Sequence, residues 1–281
     1  MDTAIQAIEF LARSEHRVAT LEALSERQRD RRDLRTVTGA SDPTIGRIIR
    51  DFEDRSWIKR EGPCYELTPL GEFVTERFLD LREGMRTGAM LSEVWQWLPR
   101  EMSAFDVESF EDTVVANPGP NYPYTPVKRV THLLESTDSI RGLGTTIYKS
   151  GNLDVFCRRV IEGMEMEYIY SPPILKAIVN WNPELTARAF ECDNCTVFVH
   201  DALPDGNRCG LNIMDDCIGI CGHDPKTAQL EAVIDTPSPK ARTWAESIYE
   251  ECRNEARPFQ VNELDNASYQ SSNKSLRVES E

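Results

Sequence analysis

An amphipathic helix is predicted over residues 41–55. Its apolar positions recur at i, i+3, i+4 and i+7, the spacing of one helix face, and are Ile45, Ile48, Ile49 and Phe52. Thr44, Arg47 and Arg50 fall on the opposite face. Ser41 or Asp42 suits the N-cap, and a proline follows in the first turn, where its missing N–H costs nothing. The pattern therefore indicates a short helix that exposes two arginines.

Two short strands are predicted directly after this helix. Residues 57–60 and 64–67 are separated by Glu-Gly-Pro, which favours a tight turn. A helix with exposed arginines followed by a basic-edged hairpin is typical of a winged helix, whose helix enters a DNA groove. The predicted DNA contacts are Ser41, Thr44, Arg47, Arg50, Lys59 and Arg60.

The two helix arginines have a second interpretation. Arginine suits bidentate contact with guanine or contact with a phosphate oxygen. The alternative is a solvated helix face, on which Arg47 pairs with Asp51 and Arg50 with Asp54. The same choice applies to residues 30–32, Asp-Arg-Arg, which lie near a phosphate or on a solvated surface.

Three helices are predicted before residue 41, and one follows the hairpin. Gly39 lies in a three-residue turn, where it supplies a left-handed conformation, so the order helix, turn, helix predicts a helix-turn-helix. The apolar residues that indicate the helices are Ile5, Ile8 and Leu11; Val18, Leu21 and Leu24; Leu34 and Val37; and Phe73, Val74, Phe78, Leu81 and Met85.

The rest of the chain predicts a second domain of mixed type. Residues 91–125 are predicted as a connector, because four prolines within residues 118–126 exclude helix or central strand. Residues 126–259 alternate helices with strands and continue as a strand meander. The polar residues 260–281 are predicted to be disordered. The predicted fold class is α+β: a winged helix-turn-helix domain over residues 1–90 and a mixed α/β sensor domain.

Charge is distributed unevenly along the chain. The net charge is −15, whereas residues 26–60 hold ten basic and seven acidic residues. Only seven of the 32 basic residues are lysine, which with the acid excess resembles the proteins of extreme halophiles. In molar salt the Debye length is about 3 Å, so repulsion between an acidic protein and DNA is screened. The overall acidity therefore does not exclude DNA as a partner.

Composition also limits location and chemistry. The sequence has no apolar run of 18 residues, so a soluble cytoplasmic protein without membrane contact is expected. It also lacks a phosphate-binding glycine loop, a G-x-S-x-G motif and an H-E-x-x-H motif, so neither catalysis nor a cofactor is predicted.

The eight cysteines are not expected to form a disulfide framework in the cytoplasm. The Cys192-x-x-Cys195 spacing suits a redox pair or a metal knuckle. A metal is not predicted, since Cys217 and Cys221 would stand about 13 Å apart on a flat strand. Thiol sensing and plain burial remain open. Tyr168, Tyr170, Trp181 and Trp244 likewise suit either a ligand pocket or the core.

Two parts of the chain resemble known families. GASDPTIGRIIRDFEDRSWIKREG followed by YELTPLG is similar to archaeal winged-helix regulators. LPDGNRCGLNIMDDCIGICGHD and residues 244–253 resemble the effector domain of the methanogenesis and filament regulatory proteins. The resemblance implies a dimeric, sequence-specific transcription regulator that pairs through its long helix and binds double-stranded DNA.

The resemblance also implies a C-terminal sensor for an unknown small-molecule or redox effector. Residues 126–200 loosely resemble a phospholipase D half-domain, but neither His132 nor His200 begins the His-x-Lys pair of that family. Two alternatives stay open: a thiol-responsive regulator, and an adaptor whose winged helix binds a protein.

Overall fold

The computed structural model describes residues 3–100, 102–110, 112–145, 152–203, 210–224, 226–227 and 229–259. Helices and strands within these ranges divide into two units, Met1–Arg86 and Thr87–Glu281. The predicted α+β class is confirmed. The predicted disordered tail, residues 260–281, lies outside the described residues. Within the described part of the chain, no helix has the length and apolar character needed to cross a membrane.

The first unit contains helices and a small antiparallel sheet with strand order β1-β3-β2. The last helix continues past the boundary between the two units. The elements are α1 (Thr3–Ala12), α2 (Glu15–Glu26), β1 (Arg29–Asp30), α3 (Arg31–Thr38), α4 (Asp42–Asp54), β2 (Ile58–Glu61), β3 (Cys64–Leu67) and α5 (Pro69–Leu91).

Local sequence signals explain where α3 ends and where α4 begins. Gly39 ends α3 with a φ of 67°, and its N–H donates to the carbonyl of Arg35. Of the two predicted caps for α4, Ser41 is the one used: its Oγ accepts the N–H of Thr44 at 3.4 Å. The predicted apolar face of α4 is buried. The glycine turn and the cap therefore set the helix-turn-helix geometry as predicted.

Aromatic packing fixes the hairpin against α4. The rings of Phe52 and Trp57 lie 5.7 Å apart, and Phe10 of α1 lies 6.2 Å from Phe52. Ile58 and Leu67, which face each other across β2 and β3, are also buried. Burial of these side chains is the main stabilising contribution in such a small core.

The second unit is built on an eight-stranded mixed sheet with order β11-β7-β6-β5-β8-β9-β10-β4. The three strands β5, β6 and β7 pair in parallel and the other pairs are antiparallel. The elements are β4 (Val114–Ala116), α6 (Thr125–Ser136), β5 (Ser139–Gly144), α7 (Asn152–Ile161), β6 (Glu165–Tyr170), α8 (Pro172–Trp181), α9 (Pro183–Phe190), β7 (Cys195–Val199), β8 (Gly210–Met214), β9 (Ile218–His223), β10 (Leu230–Thr236), α10 (Pro239–Glu255) and β11 (Arg257–Pro258).

Helices cover both faces of this sheet. The side chains of α6, α7, α8 and α9 share one core with Tyr168 and Tyr170, and those of α10 share the other with Ile169. The alternation along β6 follows from the period of two in a strand. Gly142 and Gly144 leave room for the tyrosine rings: a Cβ at Gly144 would lie 2.3 Å from the Tyr170 ring.

The structure differs from the predicted connector at residues 91–125. Leu91, Val94, Leu98 and Phe110 are at most 1% exposed and belong to the core beneath α10. Residues 114–116 pair with β10 as an edge strand. Apart from β4, the described residues between α5 and α6 form only short 3₁₀ helices and turns, so the buried residues before β4 have no helical or strand period for a sequence pattern to detect. The proline run dominated the prediction, whereas burial of the apolar residues before it decided the structure.

Most predicted strands of the second unit are found in the structure, and the described bounds of two of them differ from the prediction. The strand predicted to reach residue 148 ends at Gly144, and residues 146–150 lie outside the described ranges. The strand predicted from Cys209 is described from Gly210 onward.

Candidate functional site

The exposed face of α4 presents two arginines without carboxylate partners. Arg47 is exposed and forms no hydrogen bond or ion pair within the described ranges. Arg50 is also exposed, and its Nε donates to the carbonyl of Gly46 at 3.2 Å. The alternative pairing with Asp51 is not found, because Asp51 binds Arg17 of α2 at 3.3 Å. Arg50 likewise forms no ion pair with Asp54. Both guanidinium groups are therefore available to bind an anionic partner.

The two hydroxyl groups at the start of α4 are engaged with each other. Ser41 Oγ lies 2.8 Å from Thr44 Oγ1, in addition to accepting the Thr44 N–H. Thr44 is half-buried, whereas Ser41 is exposed. The pair orders the first turn of α4, next to the arginine-bearing face.

The predicted contacts on the hairpin are less free than those on α4. Lys59 Nζ lies 2.8 Å from Glu66 Oε1 on the neighbouring strand. Its hydrogen bond to Glu66, and the charge of that carboxylate, raise the pKa of Lys59. Arg60 Nε donates to the carbonyl of Gly62 at 3.0 Å, in a turn where Gly62 has a φ of 60°. A nucleic acid would have to compete with Glu66 for Lys59.

Two arginines of α3 meet the first residue of α4. Arg31 Nη2 lies 2.8 Å from Asp42 Oδ2, and Arg35 Nη1 lies 3.8 Å from Asp42 Oδ1. Arg31 was among the residues predicted to lie near a phosphate or on a solvated surface, whereas Arg35 was not. The sequence holds one signal for a contact between α3 and α4. Gly46 interrupts the helical pattern of α4, and a glycine inside a helix often marks the place where another segment packs closely against it.

Cys192 lies in the turn before β7, and Cys195 is the first residue of that strand. The N–H of Cys195 donates to the carbonyl of Cys192 at 3.0 Å, and Cys195 Sγ lies 3.6 Å from Met166 Sδ. Burial, then the neighbouring thiols Cys192 and Cys157, raises the pKa of Cys195 to about 12. A thiol with this pKa stays protonated and reacts slowly at neutral pH. Within the described ranges, no three or more His, Cys, Asp or Glu side chains are grouped to hold a metal ion.

The aromatic residues considered for a pocket are mainly core residues. Tyr168, Tyr170 and Trp244 are buried, whereas Trp181 is 49% exposed. The Tyr168 hydroxyl donates to Asn212 Oδ1 at 2.6 Å. Burial lowers the pKa of His223, the last residue of β9, to about 4.

A polar cavity of about 370 Å³ opens at the amino ends of the parallel strands. Its lining includes Arg141 from β5, Glu165 and Glu167 from β6, and Asp193 and Thr196 near the start of β7. The cavity has mixed charge, which suits a small polar molecule better than an apolar one.

Comparisons with solved structures give low similarity. TrmBL2, an archaeal chromatin protein, is 12% identical with a TM-score of 0.40, over 90% of this chain and 99% of that one. The phospholipase D family member Nuc from Salmonella typhimurium is 12% identical with a TM-score of 0.40, over 53% and 98%. NucT from Helicobacter pylori is 12% identical with the same TM-score, over 53% and 99%.

Family comparisons match both halves of the chain. No curated protein matches it. Residues 5–89 match the HVO_A0261 N-terminal domain, and residues 123–255 match the middle domain of the methanogenesis regulatory protein FilR1. Residues 5–89 are thus similar to the HVO_A0261 N-terminal domain and residues 123–255 to the FilR1 middle domain, which confirms the resemblance to archaeal regulators.

Proposed function

We propose that this protein is a transcription regulator that binds double-stranded DNA through α4. The observation that carries the proposal is the pair Arg47 and Arg50, which are exposed on a capped helix and pair with no carboxylate among the described residues, while Asp51 is bound by Arg17. The FilR1 domain over residues 123–255, from a protein described as a methanogenesis regulatory protein, supports the regulatory role.

The dimensions of α4 suit the DNA major groove. A helix of 13 residues is about 20 Å long, and its width fits a groove about 12 Å across. Arg47 and Arg50 lie three residues apart and thus on one face. From that face each guanidinium can reach a guanine edge or a phosphate, and we propose Ser41 and Thr44 as neighbouring backbone contacts. Lys59 and Arg60 would contact the DNA backbone from the hairpin, once Lys59 leaves Glu66.

A binding assay on the full chain tests this assignment. We expect the protein to select a sequence from a random duplex pool, and Arg47→Ala with Arg50→Ala to weaken binding of that sequence by at least tenfold. The control is Arg13→Ala, which removes an exposed arginine directly after α1 and should leave affinity unchanged. Selection of no sequence, together with capture of a stable protein partner, would favour an adaptor. An unchanged footprint in the double variant would show that another surface binds DNA.

We also propose that the regulator is a homodimer paired through α5. Four large apolar side chains on this helix, Leu70, Phe73, Leu81 and Met85, are 40 to 70% exposed. At about 100° per residue they fall within roughly a third of the helix circumference. A dimer would place two recognition helices on half-sites about 34 Å apart or a multiple of it.

The second unit is proposed as the sensor that alters DNA binding in the cytoplasm. The polar cavity at the amino ends of β5, β6 and β7 is our candidate for a small polar effector. The Cys192–Cys195 turn is the candidate for a thiol response, which the raised pKa of Cys195 would make slow. DNA affinity measured with and without a small polar ligand tests the cavity. The same affinity measured with and without an oxidant tests the cysteines.

A further inference from the structure

We infer that the Asp42 carboxylate occupies, in the free protein, the position that a DNA phosphate takes between Arg31 and Arg35. This inference rests on the proposed DNA binding and deepens it. It adds two phosphate contacts from α3, and it assigns Asp42 the role of an internal competitor that lowers affinity for non-specific DNA.

The geometry around Asp42 is that of an anion held by two arginines. Each oxygen of the carboxylate faces a different guanidinium, Oδ2 at 2.8 Å from Arg31 and Oδ1 at 3.8 Å from Arg35. Arg31 Nη2 also donates to the Asp42 carbonyl at 2.9 Å. The two arginines stand four residues apart and so share one face of α3. A phosphate group likewise offers two free oxygens to such a pair.

Gly46 lets Arg31 reach the surface that carries the proposed recognition residues. A Cβ at Gly46 would lie 2.8 Å from Arg31 Nη2, so the guanidinium crosses α4 where the side chain is missing. Arg50 Nε donates to the carbonyl of the same glycine. Arg31 and Arg50 therefore border one residue of α4, and a DNA backbone that follows the groove beside Arg50 meets Arg31.

Asp42 is placed to be displaced rather than to hold the fold. The side chains of Asp42, Arg31 and Arg35 are 52%, 47% and 49% exposed. An exposed ion pair of this kind changes an equilibrium by less than about fivefold, which a phosphate can outcompete. Asp42 is also not the cap of α4, since Ser41 accepts the capping hydrogen bond.

Displacement has a signature in the salt dependence of binding. Each phosphate neutralised by a protein cation releases bound counterions, which gives a slope of about −0.9 in a plot of log K against log salt. A displaced carboxylate takes up a cation from solution and cancels about one such release. Removal of its charge should therefore strengthen non-specific binding and steepen the slope.

The test compares Asp42→Asn with Asp54→Asn by fluorescence anisotropy on a non-specific duplex over a range of KCl concentrations. Asp54 is the matched control, because it carries the same charge on the same helix and has no ion pair within the described ranges. We expect Asp42→Asn to bind up to about fivefold tighter at low salt, with a slope steeper by about 0.9. Asp54→Asn should keep the wild-type slope.

A second background separates competition from a simple charge effect. With Arg31→Ala and Arg35→Ala in place, Asp42→Asn should gain no more affinity than Asp54→Asn does. Unchanged or weaker binding by Asp42→Asn, or a full gain in the arginine-free background, would overturn the inference while wild-type binding keeps the proposed function. A wild-type protein that binds no DNA at all would overturn both.

Discussion

Gly71 shows how one residue sets the contact between the hairpin and α5. A Cβ at this position would lie 1.8 Å from the carbonyl oxygen of Trp57. Thr68 completes the junction: its Oγ1 donates to the carbonyl of Ser56 at 2.6 Å and accepts the N–H of Gly71 at 3.0 Å. The glycine that ends the Leu-Thr-Pro-Leu-Gly segment thus has a steric explanation. Helix α5 can approach the backbone before β2 this closely only where a side chain is missing.

We predict that Gly71→Ala destabilises the first unit by about 2 kcal/mol or more, since backbone atoms must move to admit the methyl group. Hydrogen exchange of peptides from α4, β2 and β3, measured by mass spectrometry, reports the local stability. Glu72→Ala, the next residue in the same turn and exposed, should change stability by less than about 0.5 kcal/mol. Equal exchange in the two variants would contradict the close approach.

At the scale of elements, α5 differs most from an ordinary surface helix. Several of its apolar side chains point away from the core of the first unit, with Phe73 60% and Met85 70% exposed. Its periodicity alone predicts an apolar face but does not tell whether that face is buried within the chain or against a second copy. The exposed residues favour the second copy.

We expect Phe73→Glu combined with Met85→Glu to convert the proposed dimer into a monomer without unfolding it, because the new charges repel across the interface. Light scattering after size-exclusion chromatography gives the mass, and circular dichroism checks the helix content. The control Glu76→Lys changes an exposed charge away from this row and should keep the dimer. A wild-type chain that is already a monomer would exclude α5 as a dimer surface.

At the scale of the whole molecule, the second unit begins earlier than its alternating pattern indicates. Residues 87–125 supply buried side chains and an edge strand to the unit that was predicted to begin at residue 126. Fully burying a large apolar side chain is worth about 1.5–3 kcal/mol. Four such side chains, Leu91, Val94, Leu98 and Phe110, thus amount to a large part of the 5–15 kcal/mol by which domains are stable.

A pair of fragments tests this assignment. We predict that residues 87–281 unfold cooperatively on heating, whereas residues 126–281 bind a hydrophobic dye and show no cooperative transition, because the core beneath α10 is uncovered. Both fragments keep the same C-terminal end, so that end cannot account for a difference. A cooperative transition at the same temperature in both fragments would show that residues 91–125 are a connector and not part of the second unit.

The sequence by itself determined the elements that depend on local signals. The apolar spacing of α4, a cap at Ser41 or Asp42, the glycine turn and the succession of strands along the chain from β5 to β10 follow from near neighbours in the chain. The two arginines of the candidate interface were therefore predicted correctly as exposed residues. Their role in DNA binding stays a prediction.

Only the tertiary structure decided which charges remain free and which apolar residues are buried. Asp51 forms an ion pair with Arg17, and Lys59 forms one with Glu66. Asp42 forms ion pairs with both Arg31 and Arg35. Leu91, Val94, Leu98 and Phe110 are buried in the core without a regular spacing. The reason is physical: helix and turn preferences act within a few residues, whereas ion pairs and burial depend on which distant segments the fold brings together.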